Sequence, residues 1–103
     1  MIYRVETRPQ ASKALRRIDP RDRTRIYAAI ELLARDPRPP ASRRLVGSDY
    51  FRVRVGDYRV IYSIDDGRLL ILVLTIGHRR EVSERWQRSL RSPQESQTSE
   101  KRR

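Results

Sequence analysis

Cysteine is absent from the 103 residues, which excludes a disulfide framework and any thiolate metal site. Glycine occurs only four times, and nowhere in the pattern of a phosphate-cradling loop. With one histidine in the chain, His78, spacing identifies no Ser-His-Asp set, and no acidic pair falls at metal-ligand spacing. No cofactor is expected. The longest apolar run, Leu69 to Ile76, is too short to span a membrane and has strand composition. The N-terminus lacks the charged-then-apolar pattern of a secretory signal. No membrane partner is expected, and the expected location is cytoplasmic.

Acidic residues are also few: 13 against 24 basic ones, for a net charge of +11, and 22 of the basic residues are arginine. Such a balance points towards nucleic acid or another acidic partner, although a G+C-rich genome also raises arginine over lysine. Residues 91–103 contribute only +2 of the charge, so the excess belongs to the body of the chain. The length and 37% hydrophobic content suit one small domain with a modest core. That domain is expected over residues 1–91. Residues 92–103, rich in Ser, Gln, Glu and Arg without an apolar anchor, read as a disordered basic tail.

Ile2-Tyr3-Arg4-Val5-Glu6 alternates apolar and polar residues, which predicts a first strand with Tyr3 and Val5 on one face. Thr7 is a candidate cap for a helix with Pro9 in its first turn. Ala11, Ala14, Leu15 and Ile18 then recur at helical spacing. Asp19-Pro20 ends that helix and starts another, since aspartate caps well and proline suits the first helical position. The second helix is expected to reach Arg35 and to bury Ile26, Ala29, Ile30 and Leu33, with Tyr27 and Leu32 widening the stripe. Asp36-Pro37-Arg38-Pro39-Pro40 stops it and makes a stiff link. Arg43-Arg44-Leu45-Val46 then leads through Gly47-Ser48-Asp49 into Tyr50.

From Tyr50 to Ile76 the chain reads as three antiparallel strands. Gly56-Asp57 suits a type II′ hairpin turn and Asp66-Gly67 a type I′ turn. With Gly56 and Asp57 as the loop, Arg54 pairs with Arg59, and Arg52, Arg54 and Arg59 share a face. Like charges directly opposite each other are destabilising. Two readings stay open: surface arginines whose stems lie along the sheet, or an anion site where a bound polyanion relieves the repulsion. The opposite face carries Phe51, Val53, Val55, Tyr58, Val60, Tyr62, Ile64, Leu69, Ile71 and Val73, a surface for the helical pair to cover. Leu70, Leu72, Leu74 and Ile76 are expected as an apolar floor beside the arginines. A two-residue turn at Asp66-Gly67 pairs Asp65 with Arg68 and Arg59 with Leu74, so that His78 and Arg79 leave the sheet beside Arg54 and Arg59. After Arg79, Val82, Trp86 and Leu90 predict a last helix. The order β-α-α-β-β-β-α predicts an α+β fold, a small antiparallel sheet with a helical pair on one face and a C-terminal helix.

The run FRVRVGDYRVIYSIDDGRLLILVLTIGHRREV resembles the RelE/ParE superfamily of bacterial toxins from type II toxin–antitoxin pairs, and the similarity extends over nearly all of residues 1–90. GHRREV resembles the RelE-type branch, whose members are metal-independent mRNA endonucleases (mRNA interferases). The alternatives in the superfamily are a ParE-like inhibitor of DNA gyrase and a non-catalytic nucleic-acid-binding relative. The resemblance implies an mRNA substrate in the A site of the 70S ribosome, with contacts to 16S rRNA, and a cognate acidic antitoxin. It implies that the 2′-OH attacks the adjacent phosphate and the 5′-oxygen leaves, inhibiting translation. Arg59, Arg79, His78 and Arg54 are then the catalytic candidates: Arg59 for charge stabilisation, Arg79 for charge stabilisation or leaving-group protonation, and His78, the chain's one histidine, as acid or base. Arg52, Arg54, Arg80, Arg43 and Arg44 are the RNA-binding candidates. The chain departs from the family in having arginine at 52 and 54, where lysine is frequent, and Ser83 or Trp86 where a tyrosine is often found. Arginine stays protonated and makes a poor general base.

Overall fold

The structure, a computed structural model, describes residues 2–78. The helix expected after Arg79 and the tail expected from residue 92 lie outside them. Strand β1 (Arg4–Thr7) leads into helices α1 (Pro9–Arg17) and α2 (Pro20–Arg35), followed by β2 (Ser42–Arg44), β3 (Tyr50–Val55), β4 (Tyr58–Asp65) and β5 (Leu70–His78). The strands form one sheet in the order β1-β5-β4-β3-β2. The α+β class stands, but the sheet is mixed: β1 runs parallel to β5, because α1 and α2 carry the chain back over one face before β2 begins. Strand β2, read from the sequence as part of a link, forms an outer edge, pairing Arg43 with Arg52 and Arg44 with Phe51.

The helix boundaries follow local chemistry. Thr7 belongs to β1, and the residue ahead of α1 is Arg8, whose side chain makes no capping bond; Pro9 supplies the preset φ of the first turn instead. At α2 the Asp19 carboxylate accepts a hydrogen bond from the Arg21 N–H at 2.8 Å, with Pro20 in the first helical position. Asp22 lies in the first turn, at the positive end of the helix dipole.

Both helices cover the same sheet face. Ala11, Leu15, Ile18, Ile26, Ile30 and Leu33 pack against Val53, Val60, Tyr62, Ile71, Val73 and Ile76 in one core. Each large side chain buried there contributes roughly 1.5–3 kcal/mol. Tyr62 is fully buried, and its hydroxyl donates to the Pro37 carbonyl at 2.7 Å, so this aromatic anchors the proline-rich link to the core. Burial raises the Tyr62 phenol above its ordinary pKa. Tyr27 and Leu32, expected in the α2 stripe, are 52% and 64% exposed; both fall outside the arc defined by Ile26, Ile30 and Leu33.

The first hairpin turns as expected. Gly56 has φ +60 and Asp57 is not in the left-handed region, which fits II′ rather than I′. The second does not. Asp65 pairs with Leu70, so the loop holds four residues, Asp66 to Leu69, and the residue with positive φ is Leu69 at +52. Two anchored carboxylates account for this. Asp65 accepts from the Arg68 N–H, while Asp66 accepts from the Tyr3 hydroxyl at 2.6 Å and from the Arg38 guanidinium at 2.9 Å. Leu69 leaves the core face assigned to it and presents its carbonyl to the Arg4 N–H at 2.8 Å.

A candidate polyanion site on the sheet

Rungs of the sheet place the site. Arg54 stands opposite Arg59, and Arg59 is opposite Gly77. One rung along, Arg43, Arg52 and Ile61 are in line. The next rung is Tyr50, Ser63 and Leu72. All these residues lie on the face away from the helices, since their strand neighbours Val53, Val60, Tyr62 and Val73 belong to the main core. A second, smaller apolar cluster confirms the sidedness: buried Ile61 and Leu74, with Leu45, Tyr50 and Leu72 packed against them.

Four arginines therefore share one face, and two of their cross-strand pairs, Arg54–Arg59 and Arg43–Arg52, set like charges directly opposite. Arg52 and Arg59 are half-buried, Arg43 and Arg54 exposed. Among the described residues, ion pairs join carboxylates to Arg4, Arg25, Arg38, Arg44 and Arg68, while Arg43 donates to the Pro40 and Ser42 carbonyls at 2.9 and 2.8 Å. Burial lowers the basicity of the Arg52 guanidinium, and the positive charges of Arg59, Arg54 and Arg43 lower it further. A cluster that repels itself in this way is stabilised by an anion bound across it.

The structure corrects the expected register. Arg59 faces Gly77 rather than Leu74, because the second turn is longer and β5 carries an irregularity where Ile61 pairs with Thr75 but Tyr62 pairs with Val73. Leu74 is the extra residue. Such a bulge reverses the side-chain alternation beyond it. Ile76, expected beside the arginines, is in the main core instead. His78 ends β5 at the same end of the sheet as Arg54 and Arg59, but opposite Tyr58, its ring 6.3 Å edge-on from the Tyr58 ring. Tyr58 packs against the main core, so His78 lies on the helix face and the arginines on the other.

Arg44 is also placed apart. It faces the same side as Phe51, and its guanidinium donates to the Ser48 carbonyl and pairs with Asp49 at 3.0 Å, closing the β2–β3 loop. Arg79 and Arg80 lie outside the described residues. Arg43 joins Arg52 only because β2 pairs with β3, and the Tyr50–Ser63–Leu72 rung was not singled out in the sequence. Extending the first hairpin's period-2 alternation back to Tyr50 and forward to Ser63 would have found two of its members. Among the described residues no group of three or more His, Cys, Asp or Glu side chains is placed to hold a metal ion, and no helix is long and apolar enough to cross a membrane.

Two helices on one face of a five-stranded mixed sheet is a fold shared with RelE toxins. A doubly substituted mutant of the E. coli toxin RelE, in the free state, superposes with a TM-score of 0.73, covering 88% of this chain and 97% of that one at 20% identity. Sequence carries the relationship further. The profile of the ParE toxin of type II toxin–antitoxin systems (parDE) matches residues 5–83. Toxin RelG of Mycobacterium tuberculosis is 32% identical over 92 residues, spanning 82% of this chain and all of RelG. The archaeal RelE–RelB complex from Pyrococcus horikoshii OT3 gives a TM-score of 0.70 at 33% identity, over 77% of this chain and 97% of that one. The toxin–antitoxin complex RelBE2 from Mycobacterium tuberculosis gives 0.69 at 28%, over 77% and 100%. The chain belongs to the ParE toxin family of type II toxin–antitoxin systems, within the RelE/ParE superfamily.

Proposed function

We propose that this toxin is a ribosome-dependent mRNA endonuclease of the RelE type, working in the cytoplasm and silenced by a cognate acidic antitoxin. The observation that carries the reading is the pair of like-charge rungs, Arg54–Arg59 and Arg43–Arg52, on one open sheet face. The similarity to RelG and to RelE chains found with RelB partners supports both the branch and the antitoxin. In the proposed reaction the 2′-OH of mRNA in the ribosomal A site attacks the adjacent phosphate and the 5′-oxygen leaves. Arg59 and Arg54 stabilise the charge that builds on the phosphoryl oxygens, with Arg79 in the same role. Arg43, Arg52 and Arg80 hold the flanking phosphates. No guanidinium gives up its proton at neutral pH, so the protein contributes charge and orientation within the ribosome. His78 is left out of the proposed reacting group, which its position beside the Tyr58 ring, on the helix face, supports.

Induced expression followed by mapping of mRNA ends tests this. Codon-phased breaks with the wild type, absent with Arg59→Ala and Arg79→Ala, are the expected result. Full cleavage by both variants would remove the site assignment. A second reading is favoured by the family match itself, which names ParE: inhibition of DNA gyrase by a toxin with no hydrolytic chemistry of its own. Loss of supercoiling by purified gyrase in the presence of the toxin, without mRNA breaks, would establish that reading instead.

A further inference from the structure

The arginine face does not end where its charges end. Beyond Arg43–Arg52–Ile61 comes a rung without charge, Tyr50–Ser63–Leu72, resting on buried Ile61 and Leu74 with Leu45 alongside. Tyr50, Leu45, Ser63 and Leu72 are all half-buried, so each keeps part of its surface open. Solubility alone does not call for an aromatic ring and two leucines on the solvent face of the sheet. The other face already holds the main core.

Spacing relates the neutral rung to the charged ones. Side chains two residues apart on a strand are about 6.6 Å apart on one face, comparable with the step between phosphates in an extended single strand. From Arg54 to Tyr50 the face runs charged, charged, neutral over about 13 Å. A single-stranded polynucleotide lying along β3 would set two successive phosphates on the arginine rungs and bring a base over the neutral one. The chemistry there suits a base. An aromatic ring offers a stacking surface to any of them, the leucines exclude water, and the Ser63 hydroxyl both donates and accepts. A simple polyanion would use the arginines and leave this rung idle.

We propose that Tyr50, Ser63, Leu72 and Leu45 form a nucleobase subsite, with Tyr50 as the stacking platform for a base of the strand whose phosphates lie on Arg54–Arg59 and Arg43–Arg52. This rests on the reading of the arginine face as a nucleic-acid site, and adds to it a specificity for unpaired bases over other polyanions.

The test measures binding rather than cleavage, with the full chain and four probes: a short single-stranded RNA, the DNA of the same sequence, an RNA of the same length carrying abasic sites, and inorganic polyphosphate. The wild type is expected to hold intact RNA and DNA more tightly than the abasic strand. Tyr50→Leu, which keeps apolar bulk over Ile61 and Leu74, is expected to weaken intact RNA and DNA about five- to a hundredfold and to leave polyphosphate and the abasic strand unchanged. Tyr50→Phe should match the wild type. Equal loss for polyphosphate, no loss for RNA, or equal wild-type affinity for intact and abasic strands overturns the subsite. A wild type that discriminates bases yet cuts no mRNA on ribosomes removes the endonuclease reading and leaves the subsite standing.

Discussion

Arg59 lies opposite Gly77 across the β4–β5 ladder and opposite Arg54 across the β3–β4 ladder. On one side it meets a second guanidinium and on the other a residue with no side chain at all. The middle of the sheet's charged end is thereby left to arginine.

That arrangement sets stability against activity at Arg54. Arg54→Gln removes one half of a like-charge cross-strand pair, and the variant is expected to be more stable by about 0.2–1 kcal/mol. The gain should be largest at low salt and shrink as ionic strength rises. Cleavage should fall about a hundred- to a thousandfold, as expected when a donor to developing charge is lost. Chemical denaturation at two salt concentrations, alongside cleavage on ribosomes, checks both signs. A variant that loses stability and keeps activity would show that Arg54 is an ordinary surface residue.

His78→Ala is expected to leave cleavage within a few-fold of wild type. The side chain stands edge-on to Tyr58, on the face covered by the helices. Its loss removes one aromatic contact worth about 0.5–1.5 kcal/mol, so a modest fall in thermal midpoint is the expected effect. A pH–rate profile that changes shape in this variant would restore a proton-transfer role for the imidazole.

How much of this could be read in the residues is clearest at the two hairpins. Gly56-Asp57 carries its turn locally, so Arg52, Arg54 and Arg59 were placed on one face correctly, as was the pairing of Arg54 with Arg59. Asp66-Gly67 has the same appearance, but its geometry is decided by Tyr3 and Arg38, which are 63 and 28 residues away. No local pattern reports such partners. The bulge at Leu74 is invisible for a similar reason: in a run apolar on both faces, hydrophobic alternation cannot mark where one residue is skipped. The helices were legible from Pro9, Asp19 and Pro20, with their core residues. Tyr27 and Leu32 are apolar yet exposed, because each stands outside the arc of Ile26, Ile30 and Leu33. Strand β2 was missed because Ser42-Arg43-Arg44 has no apolar alternation, and it pairs because β3 offers it an edge.

Leu69 holds a left-handed backbone conformation, φ +52, at the end of the second turn. For a residue with a Cβ this costs about 1–2 kcal/mol, while glycine gives back roughly 0.5–1 kcal/mol through the entropy of the unfolded chain. Leu69→Gly, Leu69→Asn and Leu69→Ala all give up the half-buried leucine side chain, so they are compared with one another: the glycine variant sheds the strain and should be more stable than the alanine variant by up to about 1 kcal/mol. Leu69→Asn, which tolerates this conformation, should lie between them. The order glycine, asparagine, alanine in thermal midpoint is the measurement. An alanine variant equal to the glycine variant would mean that the backbone at Leu69 stores no strain.

Asp66 ties the N-terminal segment and the proline-rich link to the turn that sets the register of β5. Its carboxylate accepts from Arg38 at 2.9 and 3.4 Å and from the Tyr3 hydroxyl at 2.6 Å, and Arg38 also lies over the Phe51 ring at 5.6 Å. Hydrogen bonding from Arg38, and then from Tyr3, holds the Asp66 carboxyl below its ordinary pKa of 3.8. A folded pKa below the unfolded one means that the unfolded chain takes up the proton first. The contribution is therefore complete above about pH 3.8 and fades as pH falls through the lower folded value. Asp66→Asn should melt below wild type at pH 6, and the two melting curves should approach each other as the pH is lowered past that point. Because the clasp also fixes the four-residue turn, and through it the placing of Gly77 opposite Arg59, the same variant should lose cleavage at neutral pH although Asp66 lies at the far end of the sheet. Parallel melting curves from pH 2 to pH 7, or full activity in the variant, would show that the turn holds its shape without the clasp.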